Sequence, residues 1–410
     1  MLITLIPLFD AEMAVKAYSI FSQKTNQFLN PLAMSTGIND GATTIPGLDV
    51  INAMGLSTIG SSCEIFVPVG SVSIFSDIAS QIEHAPKDRI VLLIDRTVPP
   101  VDMYVNRIKE LRELGFKFAI RKLAVQEFTD YAPILAQMDY IFLNNKKIAI
   151  DKAQIFFEKL YPNVKLIAGN IETQELYQSL TEGGGYQLFE GEFYRVPLTA
   201  GVHEIAPVKA TYLSLLNVVN APDFELQEAA DVVGRDPALT ISFLKMVNRV
   251  VKTAQITSVR HAAAMLGQTE MKKWINTAVT EELYSDKPSE VTRLSLLRAR
   301  FAENLAGAFG LNKQQAEELF LMGLFSVLDV ILDKPMNEAL EMIQVSNQIR
   351  DALVYGKGSL APVLDFMLHY ESADWSEVDR QMVVGNLDMD NIYECYRESL
   401  VWYRTNIVGE

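Results

Sequence analysis

The chain has 410 residues, 49% hydrophobic and 21% charged, a balance that excludes a disordered polymer and suits two or three domains. Its 51 acidic and 36 basic residues leave a net charge of -15, divided as -5 over residues 1–200 and -10 over 201–410, so neither part attracts nucleic acid or an anionic membrane in bulk. Cys63 and Cys395 are the only cysteines, which excludes a disulfide framework and a CxxC metal site and fits a reducing, cytoplasmic compartment.

The opening segment MLITLIPLFDAE is apolar at first, lacks a basic flank and meets Asp10 at once, so it reads as a strand rather than a secretory signal. Strand-like apolar runs recur at 63–69, 89–95, 116–120, 140–144, 164–169 and 186–191. Amphipathic helical stretches lie between several of them, at 101–114, 150–161 and 172–183. This alternation predicts a parallel sheet covered by helices, and the number of units suits a (β/α) TIM-like barrel of minimal size, with an open doubly wound sheet as the alternative. No GxGxxG or GxxxxGK[ST] loop follows the first strand, which weakens the nucleotide-binding versions of the open sheet.

Strand character disappears from about residue 205. A short helix around Glu228–Val233 is closed by Gly234. Asp236 is a suitable N-cap and Pro237 a suitable first-turn residue for the next helix, in which Leu239, Phe243, Met246 and Val250 form one apolar stripe. Further helices are expected at 258–267, 269–284, 289–308, 313–331, 336–355, 358–371 and 388–403. The expected class is α/β plus all-α: a barrel over 1–200 and a helical bundle over 201–410, divided in the loop around Pro197–Val208. No segment approaches the roughly 20 apolar residues of a membrane span, so no membrane insertion is expected.

Several segments carry a family resemblance. DPALTISFLKMVN, ITSVRHAAAMLG, Trp274, FLMGLFSVLDVIL and IRDALVYGKG resemble the HDOD domain, a helical relative of the metal-dependent HD phosphohydrolases. IPLFD, KLIAGNIET and LFEGEFYRVP resemble the EAL domain, the barrel that hydrolyses cyclic di-GMP. The order resembles the two-domain EAL-HDOD signalling proteins.

The resemblance implies hydrolysis of a phosphodiester by two divalent cations, held by carboxylates and an Asn. Carried over residue by residue, the Glu of the EAL motif falls at Ser19 and the metal-binding Asn at Pro68. The next ligand Glu falls at Leu93, the DDF acids at Arg121 and Lys122, and the Lys and Asp of K-x-D at Phe142 and Asn144. The acid before the ET pair falls at Gly169 and the Gln of QG at Glu190, leaving Glu172 as the retained position. Cationic side chains where cations should sit predict no catalysis, no metal and no cofactor. The helical part lacks the HD pair as well: His84, His203, His261 and His369 are followed by Ala85, Glu204, Ala262 and Tyr370.

Other candidates carry two readings each. Arg121, Lys122, Lys146 and Lys147 follow adjacent strands, where barrel sites form. They read either as a cationic mouth for an anion such as cyclic di-GMP or as loop charges paired with neighbours such as Glu127 or Asp130. His261 and Asn248 read as a remnant site or an interhelical hydrogen-bonded pair. Glu172 reads as the cap of the helix that follows it. Tyr393, Tyr396, Trp402 and Tyr403 read as an interaction patch or as docking of the last helix onto the bundle. The expected function is that of a non-catalytic bacterial signalling protein working through protein partners of its HDOD domain. The resemblance places that role in cyclic di-GMP-linked control of motility or surface attachment. A cyclic di-GMP-binding effector is the alternative, and a phosphodiesterase with a rebuilt site the third reading.

Overall fold

The structure, a computed structural model, describes residues 1–29, 45–55, 59, 63–82, 86–196, 207–221, 223–235, 237–250, 256, 258–283 and 287–408. Their contacts separate two compact units. One holds Met1–Val196 with Asn304–Asn312 and Asp365–Glu410; the other holds Pro197–Glu303 and Lys313–Leu364.

In the first unit eight strands close a barrel in chain order: β1 (Leu2–Phe9), β2 (Val15–Gln23), β3 (Glu64–Pro68), β4 (Ile90–Asp95), β5 (Lys117–Arg121), β6 (Tyr140–Asn144), β7 (Lys165–Ile171) and β8 (Leu188–Gly191). Helices α1 (Pro46–Met54), α2 (Asp102–Glu113), α3 (Ala132–Leu135), α4 (Ile150–Leu160) and α5 (Gln174–Gly183) fall between strands. The interior is built by alternation. Leu8, Ala17, Phe66, Val91, Leu93, Ala119, Tyr140, Phe142, Ile167 and Leu188 come from all eight strands and form one buried cluster.

The expected all-parallel sheet needs correction at its start. β1 runs antiparallel to both β2 and β8, while β2 through β8 are parallel. β2 was not among the expected strands, because serines and a lysine interrupt its apolar pattern. The connection from β1 to β2 is a tight turn, which joins antiparallel neighbours and cannot join parallel ones. The Asp10 carboxylate accepts hydrogen bonds from the amides of Glu12 (3.0 Å) and Ala14 (2.9 Å), and Met13 takes a left-handed φ of 62°. Where β8 meets β7, Gly191 is required: a Cβ there would stand 2.0 Å from the Ile171 carbonyl oxygen.

A second correction concerns the C-terminus. The sequence places all of 201–410 in the helical domain, yet Asp365–Glu410 group with the barrel. This segment contains the end of α16 (Ala361–Glu371), α17 (Trp375–Gly385), which the sequence pattern does not mark, and α18 (Met389–Tyr403). Tyr370 is fully buried, accepts a hydrogen bond from the Ile3 amide at 3.2 Å, and packs against Trp375 and Tyr396. Buried Asp379 accepts from Gln23 Nε2 (2.7 Å) and the Gln27 amide (2.8 Å), and Arg195 reaches Glu371 at 3.2 Å. Tyr396 of α18 therefore packs through Tyr370 against the start of β1, within the barrel unit.

The second unit is helical: α6 (Pro207–Asn220), α7 (Leu226–Arg235), α8 (Pro237–Val250), α9 (Val259–Leu266), α10 (Gln268–Leu283), α11 (Ser289–Leu305, of which residues to Glu303 belong here), α12 (Lys313–Phe325), α13 (Leu328–Leu332), α14 (Met336–Glu341) and α15 (Asn347–Tyr355). α6 begins inside the stretch read as a linker. The Asp236 cap, most of that linker, His84 and His203 lie outside the described residues.

Two stretches read as single helices are each broken. The 313–331 stretch breaks at Ser326, whose hydroxyl bonds to the Gly323 carbonyl and receives Arg298 Nη1. The 336–355 stretch breaks where the Asn217 side chain holds the Met342 carbonyl and the Gln344 amide, and Ser346 caps α15 through the Ile349 amide.

Tyr370→Phe should cost about 1–3 kcal/mol in urea unfolding, because the buried Ile3 amide loses its partner. In the helical unit, burial pushes the Glu281 carboxyl up to about 7, with Glu282 adding to the rise. The folded state then holds a proton between about pH 4.5 and 7 that the unfolded chain has released. Stability should therefore fall across that window, by about 3 kcal/mol in full. Glu281→Gln should flatten the fall in pH-dependent unfolding.

Candidate functional site

The C-terminal ends of β2–β8 form one rim of the barrel, where sites of this architecture are built. The positions that the EAL resemblance assigns to metal and catalytic groups gather at or just inside this rim. Ser19 is fully buried on β2. Pro68 ends β3 in register with buried Leu93 of β4. Phe142 is buried on β6, and Asn144 stands in register with Gly169 of β7. The Asn144 carboxamide oxygen accepts the Lys146 amide at 3.1 Å. Glu190 of β8 is paired with Leu8 of β1 and is 8% exposed.

Arg121 turns inward from the end of β5. Its Nη2 donates to Glu190 Oε1 at 2.9 Å, with the two side chains 18% and 11% exposed. The guanidinium carbon lies 5.0 Å from the ring centre of Phe21 and 4.9 Å from that of Phe142, so aromatic rings and one carboxylate surround the charge. Arg121 Nη1, Glu190 Oε2 and Ser19 Oγ are buried without a protein hydrogen-bond partner. Phe21 and the Arg121–Glu190 pairing were not legible in the sequence, because no motif links residues on strands that only barrel closure brings together.

Of the two readings of the four cationic residues, these contacts follow that of paired charges, with other partners than those expected. Arg121 is neutralised by Glu190. Lys122 sits in left-handed backbone (φ 65°) and is 3.8 Å from Asp95 of β4. Lys146 bonds to Glu172 at 2.7 Å with both side chains exposed, and Lys147 is exposed. The partners are not Glu127, which accepts the Ala124 amide, nor Asp130. Glu172 is not the helix cap either. Thr173 caps α5, accepting the Leu176 amide at 3.2 Å.

These donors do not fit a pair of divalent cations. A hard cation needs several converging oxygens, whereas the assigned positions present apolar Leu93 and Phe142, a guanidinium, the Glu190 carboxylate already bound to it, and an exposed Glu172 carboxylate bound to Lys146. Opposite the rim, at the strand N-termini, Glu64 accepts the Tyr140 hydroxyl (2.5 Å) and pairs with Lys117. Burial drives the Tyr140 phenol far above its ordinary range.

In the helical unit a cavity of about 920 Å³ is lined by Lys272, Glu317, Glu318, Phe320, Ser346 and Arg350, among others. Burial lowers the Lys272 ammonium below its ordinary pKa, against the pull of Glu317 and Glu318. His261 is exposed, and Asn248 does not pair with it. Asn248 instead holds the Ile256 amide (2.7 Å) and carbonyl (2.9 Å), tying down the chain beyond α8.

Residues 205–352 match the HDOD domain family. The helical unit carries an HDOD domain. The matched HDOD segment stops before Asp365, where the barrel-packed C-terminal residues begin. The chain is 24% identical over 407 residues to the uncharacterized protein YuxH of Bacillus subtilis strain 168, covering 97% of this chain and 96% of that protein. It is 26% identical over 326 residues to the cyclic di-GMP phosphodiesterase CdgJ of Vibrio cholerae, covering 77% and 74%. Among solved structures, the Bacillus subtilis YkuI protein, with an EAL domain and in complex with substrate cyclic di-GMP and calcium, is similar at 18% identity and a TM-score of 0.35, covering 62% of this chain and 68% of that one.

Arg121→Ala should destabilise the chain by about 3–5 kcal/mol in urea unfolding, since it leaves the Glu190 carboxylate buried and unpaired. The double substitution Arg121→Leu with Glu190→Leu should recover most of the loss, because it removes both charges together.

Proposed function

We propose that this chain is a non-catalytic regulator in cyclic di-GMP-linked signalling and acts through protein contacts of its HDOD domain. One observation carries the first half of this reading: the buried Arg121–Glu190 pair at the end of the barrel where the EAL resemblance assigns metal ligands. A guanidinium about 4 Å from a cation opposes it by about 4 kcal/mol even at an effective dielectric near 20. The names of the relatives supply the signalling context. The Vibrio relative is named a phosphodiesterase, and that name favours hydrolysis. The side chains present at this chain's own rim argue against it.

The protein-contact half rests on the HDOD match, whose HD chemistry lacks its His-Asp dipeptide here. The cavity lined by Lys272 and Arg350 is the recognition surface we assign to it. The effector reading has Lys147 for its support, exposed beside the rim, while Lys122 and Lys146 stand beside the carboxylates of Asp95 and Glu172. Incubation of the full chain with cyclic di-GMP and Mg²⁺ or Mn²⁺ should yield no linear dinucleotide by chromatography. Appearance of that product would end the non-catalytic reading, and heat on titrating cyclic di-GMP without turnover would select the effector reading. Affinity capture with the full chain should recover a partner that Lys272→Glu no longer retains.

A further inference from the structure

Away from the barrel rim, α16 and α17 bring together chemistry that neither helix has alone. Asp365 and His369 are four residues apart on α16 and so share one face. Glu377 enters from the first turn of α17. One donor atom from each lies within 4.8 Å of the other two.

His369 Nε2 faces Asp365 Oδ1 at 3.7 Å. That is too long for a hydrogen bond. Two ligand atoms each about 2.1 Å from a tetrahedral ion stand about 3.4 Å apart, so the observed gap is close to what an ion between them would need. The other ring nitrogen is engaged: Nδ1 lies 3.1 Å from Asp374 Oδ2, which orients the ring and leaves Nε2 directed at Asp365. A carboxylate on the far nitrogen is the arrangement by which metal-binding imidazoles are oriented and made more basic. Asp374 is itself fixed as the N-cap of α17. The carboxylates of Asp365, Asp374 and Glu377 are offset by Arg380, which bonds Glu377, and Gln381 bridges Glu377 and Asp365 without charge. The cluster thus keeps excess negative charge. Arg380, 57% exposed, donates to both carboxylate oxygens of Glu377, through Nε to Oε2 at 2.8 Å and through Nη2 to Oε1, so an ion must displace it.

We propose that Asp365, His369 and Glu377 form a site for a divalent transition ion of the zinc type, with Asp374 as the positioning carboxylate behind His369. One imidazole with two carboxylates favours zinc, nickel or copper over magnesium, which prefers an all-oxygen octahedron. A bound ion would clamp α16 to α17, whose Asp379 holds Gln23 at the end of β2. The site is independent of the function assigned to the barrel and the HDOD domain.

The test uses the untagged full chain, stripped with chelator and titrated with Zn²⁺ alone by calorimetry and with Co²⁺ by visible absorption. One equivalent of Zn²⁺ should bind, Co²⁺ should develop visible d–d bands, and Mg²⁺ should give no saturable heat. His369→Ala and Glu377→Gln should each abolish or greatly weaken binding, and Asp374→Asn should weaken it about 10–100-fold. Arg380→Ala should tighten binding, a gain that a loss of folding cannot mimic. Absence of saturable Zn²⁺ binding in the wild-type chain overturns the proposal. So does Zn²⁺ binding that His369→Ala leaves unchanged in a chain with wild-type circular dichroism.

Discussion

The barrel rim depends on one buried ion pair. Arg121 and Glu190 meet at 2.9 Å on strands β5 and β8, which closure brings to one rim, and two aromatic rings flank the guanidinium. Burying either charge alone is costly; burying both in contact is tolerable. Each of these residues makes sense only with the other. An arginine where a cation-binding carboxylate is expected would be a defect in an open mouth, and here a glutamate at the neighbouring motif position neutralises it. The two departures from the EAL pattern are one local rearrangement, with its charge balanced inside the barrel.

That pairing also redistributes the other charges of the rim. With Arg121 turned inward, Lys122 is left beside Asp95 and Lys146 beside Glu172 on the solvent side. Exposed pairs of this kind contribute little to stability. They do determine what the rim offers a ligand: separate, half-compensated charges in place of one concentrated cationic patch. An anion approaching the rim meets cations and carboxylates together, which disfavours tight electrostatic capture.

A second constraint is the attachment of the C-terminal residues to the barrel. β1 runs against its neighbours, and its start is covered by Tyr370, whose hydroxyl accepts the Ile3 amide. Asp379 binds Gln23 and the Gln27 amide where β2 ends. The first unit is therefore assembled from both ends of the chain, and its folding requires contacts across more than 350 residues. Contacts of such separation form late, because loop closure must precede them. The HDOD segment is thereby enclosed in sequence by residues of the barrel unit.

Local pattern determined the elements. Short near-continuous apolar runs mark seven of the eight strands, and the 3.6-residue stripes of residues such as Leu239 and Phe243 mark most of the helices, because burial acts on neighbouring residues within a single element. The change from barrel to helical character near residue 205 is legible for the same reason, whereas the charge at motif positions is legible only through the resemblance to the EAL domain. Tertiary structure alone decided the rest. β2 escaped notice because Ser19 and Ser22 break its pattern and its neighbours supply the burial. The direction of β1 follows from a turn closed by Asp10. The helix break after Met342 follows from Asn217, 125 residues away. The partner of Arg121 stands 69 residues on, and that of Ile3 stands 367 on. Composition and spacing carry no record of which distant residue will satisfy a buried donor, since that choice is made only when the strands close and the helices dock.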